Sequence, residues 1–307
     1  MTLKTPVLFI IFNRPSTTEK VFEQIRKVRP TEIYLAADGP RENKPGEKEK
    51  CERVREIVSK IDWPCKVHKK FSDKNLGCKI AESSAISWFF ENVNEGIILE
   101  DDDLPNQSFF KFCTEMLEKY RDDKRIMNIS GSNFQRGWRR DKYSYYFSKQ
   151  PHIWGFATWK RAWDKYDLNT KLYPELKAKG YFRDTYEIAA ERKIITRNLD
   201  STFYNKFNTW DYQWVFALLI NNGLSIIPNE NLIQNIGMYS SAVHTSSVFD
   251  REFSLPTKEL KFPLDHPPFV IRDKKSDDRY FRWLLLRKIR NTLLRKTGLV
   301  YFFKIKE

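Results

Sequence analysis

Four consecutive acidic residues, Glu100-Asp101-Asp102-Asp103, carry the clearest chemical signal in this 307-residue sequence. They directly follow the apolar segment 96–99, which is typical of a strand buried in a sheet. Adjacent carboxylates repel one another unless a cation or protons compensate their charge. Mg²⁺ and Mn²⁺ prefer oxygen ligands and usually combine one or two carboxylates with water and substrate phosphates. The cluster therefore predicts a divalent metal ion that bridges the protein to a diphosphate, with a solvated acidic turn as the alternative.

The elements that position this cluster follow a regular order in the first 130 residues. Apolar or β-rich runs predict strands at 7–12, 32–37, 66–71 and 96–99, and helical spacing predicts helices that begin after Ser16 or Thr17 and at about 48–61 and 79–92. Strands that alternate with helices imply right-handed β-α-β crossovers and a doubly wound sheet. Ligands of such sheets bind beyond the carboxyl ends of the strands, where Asn13, Asp38 and the acidic cluster lie. The predicted fold class is α/β, with a Rossmann-like nucleotide-binding half.

The second part of the chain, from about residue 128, is less regular and rich in aromatic residues. No linker rich in Gly, Ser or Pro separates it from the first part. We therefore predict one two-lobed domain at 1–265, with a nucleotide-binding half at 1–130 and an acceptor half at 131–265. His266-Pro267-Pro268 then leads to a basic tail at 266–307.

The charge balance favours an anionic partner. The sequence has 54 Lys and Arg against 40 Asp and Glu, a net charge of +14, and the segment 279–307 holds much of this excess. Apolar residues recur at i+4 spacing in the tail, at Phe281, Leu285, Ile289 and Leu293. This pattern predicts either an interfacial helix that rests on acidic lipid or a helix that packs on the domain with its charges in solvent.

Composition excludes several classes of protein. Hydrophobic residues make up 41% and charged residues 31% of the chain, which indicates a folded protein. The four cysteines form no C-x-x-C pair and predict reduced thiols in a cytosolic protein. The apolar run near the N-terminus is too short for a signal peptide core, and no apolar stretch reaches about 18 residues. We therefore predict a cytoplasmic protein, with the tail as a possible peripheral contact to the inner face of the membrane.

Seven short motifs occur in the order found in a known family. They are Phe12-Asn13-Arg14-Pro15, Asp38-Gly39-Pro40, Asn75-Leu76-Gly77, Glu100-Asp101-Asp102, Trp154-Gly155-Phe156-Ala157-Thr158-Trp159, Trp210-Asp211, and Asn235-Ile236-Gly237 with His244-Thr245. In this order the chain resembles GT-A fold glycosyltransferases. It is similar to Golgi N-acetylglucosaminyltransferase I and to bacterial family-2-like nucleotide-diphospho-sugar transferases. The resemblance covers about residues 5–250.

The resemblance implies a nucleoside site in the first half of the chain. Asn13, Arg14 and Asp38 would contact the base and ribose, with an ordinary turn as the alternative for Asp38. Asn75 and Lys79 precede or begin a helix and would meet phosphate or uridine, with a plain helix start as the alternative.

Within the acidic cluster, the resemblance makes Asp102 the metal ligand, Asp101 a ribose or water-mediated contact, and Glu100 an orienting residue. Asp103 stands where relatives often carry an apolar residue, so the choice of metal ligand between Asp102 and Asp103 stays open. Gly155 would allow close approach of the sugar.

Two residues of the second half complete the implied site. Asp211 would be the general base, which removes a proton from the acceptor hydroxyl as that oxygen attacks the anomeric carbon; a helix N-cap is the alternative. His244 would complete the metal coordination or hold the β-phosphate, and a loop histidine without a special role is the alternative.

Together these features predict a metal-dependent, inverting glycosyltransferase with Mn²⁺ or Mg²⁺ and a nucleoside-diphosphate sugar as donor. The acceptor would be a glycan or a lipid-linked glycan. A sugar-phosphate nucleotidyltransferase is one alternative, although it would normally show a Gly-rich loop after the first strand. A non-catalytic nucleic-acid-binding protein is another, but the acidic cluster argues against it, so no nucleic-acid partner is expected.

Overall fold

The computed structural model describes residues 2–237 and 250–297, and its elements include ten strands. The strands are β1 (Val7–Ile11), β2 (Glu32–Ala37), β3 (Lys66–Phe71), β4 (Glu95–Glu100), β5 (Asp103–Pro105), β6 (Ile126–Ser130), β7 (Tyr145–Ser148), β8 (Phe156–Trp159), β9 (Leu224–Pro228) and β10 (Ile233–Asn235). The helices are α1 (Pro15–Val28), α2 (Glu47–Val58), α3 (Cys78–Asn92), α4 (Gln107–Lys119), α5 (Lys160–Trp163), α6 (Tyr173–Ala178), α7 (Tyr181–Thr185), α8 (Ala189–Phe203), α9 (Asp211–Ile220) and α10 (Lys274–Lys296).

Eight of the strands form one mixed sheet in the order β3-β2-β1-β4-β8-β6-β9-β7. The first four are parallel to one another, whereas β8 runs antiparallel to both β4 and β6. The strands β5 and β10 form a separate antiparallel pair. The predicted α/β class with a Rossmann-like half and a mixed sheet is confirmed, and so is the C-terminal helix of the basic tail, which is α10.

Alternate residues of β1 explain why helices cover both faces of the sheet. Val7 and Phe9 contribute to a core that includes the apolar residues of α1, α2 and α4. Leu8 and Ile10 contribute to a second core with α3, α5 and α9 on the opposite face. A strand buried on both faces is a continuous apolar run because neither face meets water.

The start of α1 differs from the sequence-based prediction. The helix begins at Pro15 after Arg14, and not after a Ser16 or Thr17 cap. Proline suits the first helical position because its fixed φ angle fits and its missing N–H would have no partner there. The hydroxyl groups of Thr17 and Thr18 donate back to the Arg14 carbonyl oxygen, at 3.1 and 2.8 Å. Arg14 therefore sits at a rigid junction between β1 and α1.

The C-terminal segment returns to the edge of the sheet at β7. Phe147 forms a parallel bridge with Arg272, and the Asp273 N–H donates to the Phe147 carbonyl oxygen at 2.7 Å. The helix α10 follows directly and packs beside this edge. Within residues 2–237 and 250–297, no helix has the length and apolar character needed to cross a bilayer.

Candidate active site

A cleft of about 470 Å³ opens at the carboxyl ends of the parallel strands. Between β1 and β4 the order of the strands reverses, and open α/β sheets bind ligands at such a point. The cleft is lined by residues from both parts of the chain, including Asn13, Arg14, Asp38, Arg41, Asn75, Glu82, Glu100, Asp101, Asp102, Trp154 and Asp211. The structure thus brings most of the predicted site residues to one cavity.

Arg14 neutralises the centre of the acidic cluster. Its guanidinium group contacts Asp101 at 2.6 Å and Asp102 at 2.5 Å. Asp101 is buried and also accepts the Phe12 N–H at 3.1 Å. Burial lowers the pKa of Arg14, but the two carboxylates outweigh that effect and raise it. Burial raises the pKa of Asp101 to about 6, against the attraction of Arg14. A protein cation therefore offsets part of the repulsion for which the sequence predicted a metal ion alone.

The two outer members of the cluster have different surroundings, although Glu100 also lines the cleft. Asp103 is fully buried, and its Oδ2 accepts the N–H groups of Gly155 at 2.8 Å and Glu100 at 3.3 Å. Burial is the main reason why the pKa of Asp103 is raised well above its usual value. Glu100 faces Glu82 of α3, and burial raises the pKa of both, that of Glu82 to about 8. Asp103 does not line the cleft, so Asp102 is the better placed of the two candidate metal ligands.

Asp102 is the residue that best fits a divalent ion. Its Oδ2 contacts Arg14, whereas its buried Oδ1 has no hydrogen-bond partner among the described residues. A buried carboxylate oxygen without a protein partner needs a bound water or a cation, and an ion that carries its own water supplies both. The described residues contain no group of three His, Cys, Asp or Glu placed to hold a metal ion. The residues present therefore fit an ion that takes one protein carboxylate and the remaining ligands from a diphosphate and water.

The Asn235-Ile236-Gly237 turn lies directly against this pair of charges. The Ile236 N–H donates to the Asp102 carbonyl oxygen at 2.8 Å. A Cβ atom at Gly237 would lie 2.1 Å from Asp102 Oδ2 and 2.7 Å from Arg14 Nη1, so only glycine fits there. His244, the other predicted metal-site residue, lies outside the described residues.

Asp38 holds two loops together at the rim of the cleft. Its carboxylate accepts the N–H groups of Gly39 at 2.8 Å, Leu76 at 2.9 Å and Gly77 at 3.1 Å. It also accepts the Asn75 side-chain amide at 2.9 Å. A carboxylate has about four acceptor positions, and these donors occupy them. Asp38 therefore positions the loop that carries Asn75, whose amide group lines the cleft.

The sequence analysis did not single out Arg41, which lines the cleft, or Glu47, which contacts it. Glu47, at the start of α2, accepts the Asn13 side-chain amide at 2.8 Å and the Arg41 N–H at 2.8 Å. Hydrogen bonds from the Arg41 side chain lower the pKa of Glu47 to about 2. This cluster fixes the orientation of Asn13 and presents Arg41 to the cavity.

Asp211 also lines the cleft, as the first residue of α9 after an N-cap at Trp210. Its Oδ1 accepts the Thr209 hydroxyl at 2.5 Å and the Tyr212 N–H at 2.9 Å. The N-cap of α9 is therefore Trp210 and not Asp211, which was the alternative role for this residue. The Asp211 carboxylate lies in the first turn of the helix. A negative side chain is favourable there because the helix N-terminus carries a partial positive charge.

Two predicted ligand contacts lie away from the cavity. Gly155 has a positive φ of 56°, and Ile233 fills the space beside it, since a Cβ atom would lie 2.5 Å from Ile233 Cδ1. The Lys79 ammonium group donates to Asn205 at 2.9 Å, and Lys79 does not line the cleft. Trp154 is the aromatic residue of the predicted sugar loop that lines the cavity.

The contact between Arg14 and the acidic cluster could have been predicted if β1 and β4 had been known to be neighbours. In the predicted sheet, β1 and β4 are both inner parallel strands, and neighbouring parallel strands end at the same edge. The structure pairs Ile10 with Glu100, which places the residues after both strands side by side. The missing information was the adjacency of β1 and β4. Glu47 and Arg41, in contrast, lie in a charged segment whose pattern shows no special feature.

Comparison with known protein families gives no match, and comparison with curated proteins gives none either. Among solved structures, the chain is similar to HddC from Yersinia pseudotuberculosis at 9% identity and a TM-score of 0.31, over 51% of this chain and 77% of that chain. It is similar to a UDP-glucose pyrophosphorylase complexed with UDP-glucose at 10% identity and a TM-score of 0.28, over 52% of this chain and 70% of that chain.

The glycosyltransferase GlyE from Streptococcus pneumoniae TIGR4 matches at 9% identity and a TM-score of 0.34, over 97% of this chain and 64% of that chain. Identities and TM-scores as low as these identify neither a family nor an activity. The function is therefore inferred from the chemistry of the cleft.

Proposed function

We propose that this protein is a metal-dependent, inverting glycosyltransferase. The donor would be a nucleoside-diphosphate sugar, with a uridine diphosphate sugar favoured by the sequence resemblance. The acceptor would be a hydroxyl group of a glycan or glycolipid in surface polysaccharide synthesis, and the transferred group a hexosyl or N-acetylhexosaminyl unit. One observation carries the proposal: Asp102, one of whose buried oxygens has no hydrogen-bond partner within 2–237 and 250–297, and Asp211 line the same cleft at the switch point of the sheet.

Asp102 would hold Mn²⁺ or Mg²⁺ together with the donor diphosphate. The ion, when bound, supplies positive charge that stabilises the leaving nucleoside diphosphate. Arg14 holds Asp101 and Asp102 in one orientation, because it contacts both carboxylates. Asn13, Arg41 and the loop held by Asp38 form the part of the cavity that would take the nucleoside.

Asp211 would act as the general base. The Thr209 hydroxyl and the Tyr212 N–H both donate to Oδ1 of its carboxylate, and these two hydrogen bonds fix the direction of the group. In the proposed step, an acceptor oxygen bonds to the anomeric carbon while the bond to the diphosphate breaks, and Asp211 takes the hydroxyl proton. Because attack is opposite to the leaving group, the anomeric configuration inverts. Trp154 would offer an apolar face to a pyranose ring at the mouth of the cavity.

The test is a transfer assay over a panel of nucleotide sugars with Mn²⁺. Asp211→Asn keeps an acceptor oxygen for Thr209 and Tyr212, so the variant should fold and bind donor normally. We expect its transfer rate to fall by roughly 10² to 10⁴, the usual contribution of a general base. Asp184→Asn, at an exposed position of α7, is the matched control and should retain full activity.

Full transfer by Asp211→Asn would reject the base assignment. Release of pyrophosphate from a nucleoside triphosphate and a sugar phosphate, without sugar transfer, would instead support a nucleotidyltransferase. The start of α1 at Pro15, directly after Arg14, argues against that outcome because no Gly-rich triphosphate loop separates β1 from α1.

A further inference from the structure

A second cavity, of about 690 Å³, lies between the chain segment after β6 and the helix α10. Its lining consists mainly of cationic and aromatic side chains: Phe134, Gln135, Arg136, Trp138, Arg140, Lys274, Lys275, Asp278, Arg279, Arg282, Trp283 and Leu286. Six of these residues are Lys or Arg, and one is acidic. We call it the basic cavity.

Among the described residues, four of the six cations in the basic cavity form no ion pair with a carboxylate, and one of these four, Arg136, donates to the Glu252 carbonyl oxygen. Arg140 contacts Asp273 at 2.9 Å, and Lys274 contacts Asp278 at 2.7 Å. Among the described residues, by contrast, no carboxylate forms an ion pair with any of three exposed side chains, Lys275, Arg279 and Arg282. Like charges gathered without counter-charges attract an anion from outside the protein.

Tryptophan rings form the apolar part of the basic cavity. Lys275 and Arg279 lie over the ring of Trp138, at 5.6 and 5.3 Å from its centroid. Arg136 lies over the ring of Trp283 at 4.5 Å. Tryptophan beside arginine and lysine is the composition found where proteins meet lipid headgroups.

The outward face of α10 continues from the basic cavity as an exposed apolar row. Lys275, Arg279 and Arg282 stand three or four residues apart on this face, and Leu286, Ile289 and Leu293 extend the same spacing. The side chains of these last three residues are 67%, 49% and 57% exposed. Residues at such spacing share one side of a helix. The face therefore carries charge in its first half and apolar groups in its second half.

This row differs from the one predicted from the sequence. Steps of four residues turn about 40° further each time, so a strict i+4 row winds around the helix. Phe281, the first residue of the predicted row, is accordingly buried, whereas Ile289 and Leu293 are exposed. The helix α10 thus has one apolar side that packs against the protein and a second apolar side that faces solvent.

The basic cavity and the catalytic cleft share a wall of aromatic rings. Trp154, which lines the cleft, packs on Phe134 at 5.6 Å, and Phe134 stacks on Tyr280 of α10 at 5.6 Å. A second route runs from Trp154 through Phe253 to Trp283, at 6.1 and 5.1 Å. A partner bound at the basic cavity would therefore lie next to aromatic rings that pack against a wall of the cleft.

We propose that the basic cavity and the outward face of α10 bind the anionic headgroups of a phospholipid membrane. Lys275, Arg279 and Arg282 would contact lipid phosphates, and Leu286, Ile289 and Leu293 would enter the boundary between headgroups and acyl chains. Charge complementarity selects this partner, because anionic headgroups match the cations and the headgroup–acyl boundary matches the exposed apolar groups beside them. The proposal does not depend on the reaction that the cleft performs.

The test is co-sedimentation of the full chain with vesicles of phosphatidylcholine, with and without roughly 30% phosphatidylglycerol. Wild-type protein should bind the phosphatidylglycerol vesicles and not those of pure phosphatidylcholine. The double variant Arg279→Gln/Arg282→Gln should bind roughly 25-fold more weakly, since each cation near an anionic surface contributes about fivefold. The variant Leu286→Ser/Leu293→Ser should also bind more weakly.

The matched control is Lys20→Gln/Lys50→Gln, which removes the same charge from exposed positions of α1 and α2. These helices lie by β1 and β2, away from β7 and α10. Equal weakening by the control and the Arg279/Arg282 variant would overturn the proposal in favour of net charge alone. Saturable binding of inorganic phosphate that the Arg279/Arg282 variant loses, without vesicle binding by wild type, would overturn it in favour of a soluble phosphate ligand. Neither result would bear on sugar transfer, which this assay does not measure.

Discussion

The cleft and the basic cavity differ in how their charged side chains are paired. In the cleft, Arg14 lies between Asp101 and Asp102, and both carboxylates contact it. In the basic cavity, Arg279 and Arg282 have no carboxylate partner among the described residues. Both regions are lined by several ionisable groups, but the cleft pairs Arg14 with buried carboxylates, whereas Arg279 and Arg282 pair with none that the structure describes.

The difference shows what each region is built to do. Paired and buried charges in the cleft hold a few groups in fixed directions, as a site for chemistry requires. Unpaired and exposed charges in the basic cavity keep their attraction for an external partner, as a binding surface requires. The aromatic wall through Trp154 and Phe134 joins the two regions, so a surface contact and a reaction site lie side by side.

The largest expected effect follows from removal of the buried cation. Arg14→Met leaves the carboxylates of Asp101 and Asp102 without a partner cation, and we expect the free energy of unfolding to fall by about 3–5 kcal/mol. Chemical denaturation measured by circular dichroism will give this value. Arg282→Met, in the basic cavity, is the control, and its unfolding free energy should stay within about 0.5 kcal/mol of wild type. Equal losses in both variants would remove the contrast between the two regions.

A smaller effect concerns the stability of the protein in acid, which depends on Glu47, a residue that contacts Asn13 and Arg41 of the cleft. Hydrogen bonds from Arg41 lower the pKa of Glu47 from 4.5 to about 2, so the folded protein holds this carboxylate ionised where the unfolded chain would protonate it. The resulting stability is present above pH 4.5 and is lost as the pH falls through 2. Glu47→Gln should therefore remove up to about 3 kcal/mol at neutral pH and flatten the acid side of the stability profile. A profile parallel to that of wild type would show that Glu47 is not the titrating group.

Much of the parallel half can be predicted from the sequence because its signals are local. The strands β2 and β3 have the predicted bounds, β1 ends one residue earlier than predicted, and β4 is one residue longer at each end. The position of the acidic cluster at the carboxyl edge follows from the β-α-β pattern alone. The sequence carries no local signal for the basic cavity. Trp138 and Arg279 come into contact only because the C-terminal segment returns to β7.

The direction of each side chain in the cluster was beyond sequence reasoning. Four adjacent acidic residues look equivalent, yet Asp103 turns inward because it begins β5 and accepts the Gly155 N–H. Asp38 also has its acceptor positions filled by a loop distant in sequence. Such choices depend on hydrogen-bond donors that only the tertiary fold brings near.

The most direct test of the central proposal is a calorimetric titration of uridine diphosphate into the protein with and without Mn²⁺. For wild type we predict that Mn²⁺ strengthens binding by roughly 100-fold, because the ion links Asp102 to the diphosphate. The variant Asp102→Asn, checked for folding by its thermal transition, should lose this enhancement. The same Kd for wild type and Asp102→Asn in the presence of Mn²⁺, or no binding by wild type at all, would contradict a metal-linked nucleotide site in the cleft.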